Sequence, residues 1–342
     1  MSEERMEPLV SIVVPNYNGA DTLPLCLRSL QGQTYPNIEI IIVDDGSSDD
    51  SLAIAKRFGV TVTSTGSNMG CGVARNTGVA RSTGEIVFYV DSDIALASDA
   101  VASAVAILRG DSTIGAVCGV QDAEPLVNRT LVAQYRGLQY HYWSASSVGD
   151  VSFMFPSLCA IPTKVHTEIG SFNPKLKQTE EVDFGYRLSQ RYRLRLSQAV
   201  RGRHAHDPRL RILLRKLFHR ARLRVPLYAD ARHFANGFET RQRAWASLAA
   251  AASLPAFLLP LILGPAGLLG PVLMLAVSIA CDAGMYRFVF RRRGLAFLAF
   301  FVATHYVVNL TIVAGVAVGA VQWSASRTFR RLYEEHDLQP AS

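Results

Sequence analysis

The sequence predicts an α/β protein: a mostly parallel, Rossmann-like sheet followed by an α-helical membrane region. Two observations carry that prediction. Over residues 9–95, β-branched apolar runs alternate with helix-like segments, the pattern of a parallel sheet covered on both faces. From residue 244 onward the chain changes to long apolar runs that are almost free of charge.

The elements follow in order. "LVSIVVPNYN" (9–18) is a strand that ends in turn residues, and a helix-like segment follows over 20–33. "IEIIIVDDGSSDD" (38–50) is a second buried strand, stopped by acids and a Gly-Ser turn. A helix over 50–58, a short strand at 60–65 and a helix over 71–82 lead into "GEIVFYVDSDIAL" (84–96). There Ile86 to Val90 read as a buried strand that stops at two carboxylates, Asp91 and Asp93, one residue apart. Ligands of an open parallel sheet bind at the carboxyl ends of its strands. The polar ends at residues 16–18, 44–45 and 91–93 are therefore expected on one edge.

The later apolar runs cover residues 244–264, 267–290 and 295–323, each long enough for a hydrocarbon core of about 30 Å. Two to three membrane helices are expected, with breaks near Gly264 and Gly267 and at "RRRG" (291–294). The competing reading, a very apolar soluble helical domain, would have to keep those runs in water. Two spans return the chain to its starting side, which suits Arg291, Arg292 and Arg293 if that side is cytoplasmic. A third full span puts Arg327, Arg330 and Arg331 on the far side, against the same rule. A re-entrant last segment or an interfacial first pair are the alternatives.

Composition narrows the class. The 342 residues are 49% hydrophobic with a formal charge of +7, too long for one small domain. The five cysteines lie far apart without a CxxC pair, which excludes a disulfide framework or zinc ribbon and fits a reducing compartment. No apolar run precedes the first strand, so no cleavable signal peptide is expected, and the first two-thirds of the chain are expected in the cytoplasm. Between Arg187 and Arg224 there are thirteen Arg or Lys against one acid, Asp207. Within that block, "HDPRLRILLRKLFHRARLR" (206–224) puts Leu210, Leu213, Leu214, Leu217 and Ala221 on one helical face. A helix lying on an anionic leaflet explains this better than nucleic-acid binding, because the apolar runs follow shortly. The expected organisation is a catalytic domain over 1–205, a basic linker helix over 206–243, the membrane helices over 244–323 and a tail over 324–342.

Two carboxylates left close together repel, and a divalent cation removes the penalty. Mg2+ or Mn2+ is commonly held by one or two carboxylates plus substrate phosphates. D-x-D alone is a weak signal, and its place after a five-residue buried strand strengthens it. "VSIVVPNYNG", "QTYPNIEIIIVDDGSSDDS" and "GCGVARNTGVARSTGEIVFYVDSD" together resemble the family 2 glycosyltransferases of the GT-A fold. "TEEVDFGYRLS" (179–189) resembles the family's helix that carries the catalytic base. The resemblance implies that Pro15 and Tyr17 line the nucleoside pocket, that Asp45 bonds the base with Asp44 beside it, that Arg75 approaches the diphosphate, and that Asn18 and Ser92 belong to the same nucleotide-sugar site. It implies metal ligation by Asp91 and Asp93, with His206 as a further candidate ligand.

Sugar transfer with inversion needs a carboxylate to take the acceptor's proton. Glu180, Glu181 and Asp183 stand at the start of a predicted helix behind Thr179, where the helix dipole also favours acids. Glu181 occupies the position where the family usually has Asp; it is the expected base, with Glu180 and Asp183 positioning. Gly70 and Gly72 do not make a dinucleotide fingerprint, since Arg75 holds the third glycine's place, and no GxxxxGK[ST] occurs. Asp282 and His305, inside apolar segments, are expected to face protein or water or to pair with each other.

The expected function is a membrane-anchored, inverting, metal-dependent glycosyltransferase with its catalytic domain cytoplasmic at the inner membrane. It would move a sugar from a UDP-, GDP- or dTDP-linked donor to a lipid-linked or glycan acceptor, with no nucleic acid involved. A processive polysaccharide synthase is the alternative, set back by the absence of Q-x-x-R-W. A catalytically silent nucleotide-sugar-binding scaffold is another, set back by the presence of Asp93 and the acids at 180–183.

Overall fold

The computed structural model describes residues 7–231 and 241–333. The expected linker residues 232–240 and tail residues 334–342 lie outside the described residues. The chain forms two compact units, one of residues 7–129 and 143–206, the other of residues 130–142 and 207–333.

The first unit is an α/β sheet of nine strands among the described residues, in the order β3-β2-β1-β4-β8-β6-β9-β5, with β7 beside β9. Its strands are β1 (Val10–Asn16), β2 (Ile38–Asp44), β3 (Thr61–Ser64), β4 (Ile86–Val90), β5 (Ile94–Leu96), β6 (Ile114–Gln121), β7 (Gly149–Val151), β8 (Leu158–Pro162) and β9 (Arg193–His204). Its helices are α1 (Leu23–Gln31), α2 (Ser51–Arg57), α3 (Cys71–Val79), α4 (Ala100–Gly110), α6 (Thr163–Ile169) and α7 (Glu180–Ser189); α5 (Leu131–Ala145) belongs to the second unit up to Tyr142. β1, β2, β3 and β4 are mutually parallel, as the alternating pattern predicts, and every residue of β1 and β4 is buried. Strands buried on both faces read as unbroken apolar runs rather than alternations. β8 then enters antiparallel between β4 and β6, so the sheet is mixed beyond the first four strands.

Parallel register fixes the site edge. Asn16 pairs with Asp44 and Val13 with Tyr89, so the ends of β1, β2 and β4 lie side by side. α3 packs closely over this sheet because Gly78 lacks a side chain; a Cβ there would stand 2.2 Å from Val13 Cγ1.

The second unit is helical: α8 (Leu210–Leu223), α9 (Val225–Ala231), α10 (Arg241–Ala256), α11 (Pro260–Leu263), α12 (Leu269–Cys281), α13 (Ala283–Ala325) and α14 (Arg327–Arg330). Both expected breaks are present, a 3-10 turn over Gly264–Leu268 and a non-helical Gly294 (φ 77°). The first apolar run is not one helix, because Pro255 and Pro260 bracket its end at Ala256. At Gly294, α13 doubles back. Asp282 Oδ2 meets His305 Nε2 at 3.1 Å and Tyr286 packs edge-on to Phe301, contacts that a straight helix could not make. The expected Asp282–His305 pair is thus present, and Tyr135 and Gln139 of α5 bond the other imidazole nitrogen at 2.8 and 3.0 Å.

Gly78→Ala gains helix propensity but overpacks Val13. We expect a net loss of about 2 kcal/mol in urea unfolding of the full chain; an unchanged or raised midpoint would show that α3 can lift away at little cost.

Candidate active site

Pro15, Tyr17, Asp45, Asp91, Ser92 and Asp93 line a single cavity of about 190 Å³ at the strand ends, together with Asn16, Cys71 and Ala74. Six of the sequence-predicted residues are therefore brought together. Tyr17 is half exposed at its mouth. Asn18 takes a left-handed backbone (φ 50°) and is held by Ser47 and Ser48 rather than lining the cavity.

Asp44 at the end of β2 and Asp45 just after it brace the strand end. Asp44 accepts from Asn16 Nδ2 (3.3 Å) and the Ser47 amide (3.1 Å), so it braces β1 against β2. Asp45 accepts from the Thr65 hydroxyl (2.7 Å) and the amides of Met69 (2.9 Å) and Gly70 (2.8 Å). The loop over 65–70 is thereby folded back onto the strand end. Gly46 (φ 77°) permits the approach, since a Cβ there would stand 2.8 Å from Ser67.

Arg75, on α3, is 2% exposed. Its Nη2 pairs with Asp91 Oδ1 and its Nη1 with Glu180 Oε1, both at 2.9 Å. Its guanidinium also lies over the Phe172 ring, 5.6 Å from the centroid. Phe172 stacks on Phe184 (4.4 Å, 21°), and Arg187 caps the far side of Phe184 at 5.2 Å. Arg187 then holds Asp183 Oδ2 through Nη2 at 2.9 Å, and donates to the carbonyls of Ile169 and Ser171. Two arginines and two phenylalanines thus form one column that fixes the first turn of α7. Cation–π contacts between desolvated groups are worth about 2 kcal/mol each.

The three acids of α7 are consequently not equivalent. Glu180 and Asp183 are buried and committed to arginines, while Glu181 is only half buried. Two of the three carboxylates thus already have an arginine partner.

The Asp91–Asp93 turn is held by the residue before β8 and the residue after β9. The Asp91 amide donates to Ser157 O (3.3 Å), and the Ala205 amide donates to Asp93 O (2.9 Å). His204 Nε2 lies 3.1 Å from Asp93 Oδ2, and its Nδ1 is 2.8 Å from His206 Nδ1. The histidine facing Asp93 is therefore His204, with His206 one step behind it. Among the described residues no group of three His, Cys, Asp or Glu side chains is gathered closely enough to enclose a metal by itself. Two carboxylates at a cavity mouth still fit Mg2+ or Mn2+, which fill their remaining positions with phosphate oxygens and water. Phe172 and Arg187 are site-shaping residues that sequence reasoning missed; of the two histidines in "RGRHAHD" it favoured His206, whereas His204 is the one beside Asp93.

Residues 11–161 match the sequence model described as Glycosyl transferase family 2. Over those residues the chain is similar to the family 2 glycosyl transferases. An uncharacterized glycosyltransferase of Rickettsia typhi is 30% identical over 199 residues, 55% of this chain and 61% of that protein. The chain therefore spans about three-fifths of the length of that relative. Glycosyltransferase AglE of Haloferax volcanii is 36% identical over 93 residues, 25% of this chain and 31% of its own. Among solved structures, the mannosyltransferase PcManGT of Pyrobaculum calidifontis in complex with GDP-Man and Mn2+ superposes with a TM-score of 0.59 at 21% identity. It covers 94% of this chain and 89% of its own. That likeness establishes a shared GT-A fold.

His166 packs against Tyr89, Phe172 and Phe184 at the base of the column. Burial first, then the Arg187 cation, push it down to about 4. An unfolded histidine takes its proton near 6.5, so the native state resists protonation; stability is full above pH 6.5 and drains as pH falls towards 4. The loss amounts to about 3 kcal/mol. We expect His166→Phe to remove most of that decline between pH 6.5 and 4.5 in chemical unfolding; an equal slope in both proteins would contradict it.

Proposed function

We propose that this chain is a membrane-anchored, inverting glycosyltransferase that uses a nucleotide-diphospho-sugar donor and a lipid-linked or membrane-associated acceptor. The observation that carries the proposal is the strand-end cavity, with Asp91 and Asp93 on its rim and Arg75 joining that rim to the acids of α7. The similarity to family 2 supports the reaction class, and the fold is shared with a protein that holds GDP-Man and Mn2+.

In this reading residues 1–205 are the catalytic part. Pro15, Tyr17 and Asp45 receive the nucleoside, and Asp44 and Asn18 support them from behind. Ser92 faces the diphosphate. Arg75, with both ends of its guanidinium on carboxylates, positions Asp91 and Glu180 rather than reaching the diphosphate itself. One cation against Asp91, Asp93 and Glu180 leaves a local excess of two negative charges, matched to a divalent ion. Asp91 and Asp93 would hold Mg2+ or Mn2+, which when bound offsets the charge that grows on the departing diphosphate. His204 orients Asp93, and His206 supports His204.

Glu181 is the base. It takes the proton of the acceptor hydroxyl as that oxygen attacks the anomeric carbon and the nucleoside diphosphate leaves from the opposite face. The helix start that carries Glu181 is immobilised by the arginine–phenylalanine column, so the base is pre-positioned.

The membrane part of the proposal rests on exposure. Residues Pro260–Cys281 and Ala283–Ala325 are long and apolar enough to cross a bilayer, and Leu261 and Ile262 expose 83% and 80% of their surface. Apolar surface on that scale is not kept in water without a covering phase. α8 is then the interfacial helix, and the catalytic unit is cytoplasmic at the inner membrane.

The proposal is tested with the full chain in native membrane lipids and a panel of radiolabelled nucleotide sugars, with and without Mn2+. We expect label to move to the lipid phase with one donor, and the product to have inverted anomeric configuration. No transfer and no donor binding with any sugar would sink the reading. Two substitutions separate the roles. Glu181→Gln is expected to keep donor affinity and slow transfer at least ~100-fold; near-normal turnover would return the role to Glu180 or Asp183. Asp93→Asn is expected to abolish the Mn2+-dependent part of donor binding while circular dichroism stays unchanged; a retained Mn2+ effect would move the ion elsewhere.

A further inference from the structure

Within the second unit, α8 is locked by its backbone to the distal part of α13. Gly315 and Gly319 stand about one turn apart, and a Cβ on either would lie 2.6 Å from an α8 carbonyl, that of Phe218 and that of Arg222. Glycines at this spacing let two helices meet backbone to backbone. Beyond α14, Tyr333 donates its hydroxyl to Leu223 O at 3.0 Å. Arg330 reaches back to Trp323 O at 3.3 Å, which folds α14 onto the end of α13. The second half of α8, the end of α13 and α14 therefore form one body.

That body concentrates cations. Arg211, Arg215 and Arg220 are exposed on α8, next to Lys216, which pairs with Asp207 at 2.8 Å, and Arg327 and Arg331 are exposed around α14. No acidic residue occurs in the sequence between 208 and 229 or between 283 and 333. Beside them, Val316, Val318 and Val321 of α13 expose 44%, 41% and 67% of their surface. Cations flanking an exposed apolar helix end is the chemistry of a helix terminating among anionic headgroups.

We propose that the basic face of α8 and the arginines around α14 bind anionic phospholipid headgroups as one surface, on a single side of the bilayer. The inference rests on the membrane reading above and adds to it. α8 and α14 being on one side, the chain between them returns to the side it left, and residues 241–325 cross an even number of times. The sequence conflict over Arg327, Arg330 and Arg331 then disappears, because these residues share the side that α8 occupies.

The test introduces Ile212→Cys and Thr328→Cys singly into the full chain, in membrane vesicles of known orientation. A membrane-impermeant maleimide is applied and labelled peptides are mapped by mass spectrometry. Both positions are expected to label from the same side. Labelling from opposite sides overturns this inference and leaves membrane anchoring intact, whereas a chain recovered free of the vesicles overturns both. A second arm measures the thermal midpoint of the detergent-solubilised chain with phosphatidylglycerol and with phosphatidylcholine. The variants Arg211→Gln/Arg215→Gln and Arg327→Gln/Arg330→Gln/Arg331→Gln should each lose at least half of the phosphatidylglycerol-specific shift. A full shift in either variant overturns the shared surface.

Discussion

The buried guanidinium of Arg75 is the interaction on which the rest of the catalytic unit depends. A cation this deep in protein costs several kcal/mol unless it is paired. Its two partners come from the end of β4 and the start of α7, 105 residues apart from Arg75 in the second case. One side chain therefore ties the rim that would hold a donor to the helix that would serve an acceptor. Gly72, one turn earlier on α3, leaves room for this; a Cβ there would stand 3.2 Å from Glu180 Cγ.

The same economy of charge sorts the acids. Asp91 and Glu180 are occupied by Arg75, and Asp183 by Arg187. Asp93 lies beside an imidazole. Glu181 is the less buried carboxylate of α7, on a helix whose first turn is fixed by stacked rings. In the proposed mechanism, rigidity in the support and accessibility at Glu181 are what proton transfer would ask of the base.

Much of this was legible in the chain because parallel strands write themselves plainly. The runs ending at Asn16, Asp44 and Val90 are apolar on both faces and stop at polar residues, so the elements and their common edge follow from period and punctuation alone. The residues that were not legible arrive from far away. Phe172 and Arg187 join the site through packing with no periodic signature. His204 faces Asp93 because β9 pairs Ile94 with His204, a register fixed by tertiary structure; the sequence shows only two histidines two residues apart. In the second unit the "RRRG" break was visible, but the reversal it produces was not, because a glycine at positive φ ends a helix without declaring the direction that follows.

A double-mutant cycle on Arg75→Met and Glu180→Gln, read by urea unfolding of the detergent-solubilised full chain, tests the buried pairing most directly. The account predicts that each single change is strongly destabilising and that the two are coupled by about 2 kcal/mol or more, the double variant being far more stable than the sum implies. Additivity within about 0.5 kcal/mol would contradict it, since the two side chains would then be neighbours that do not depend on one another.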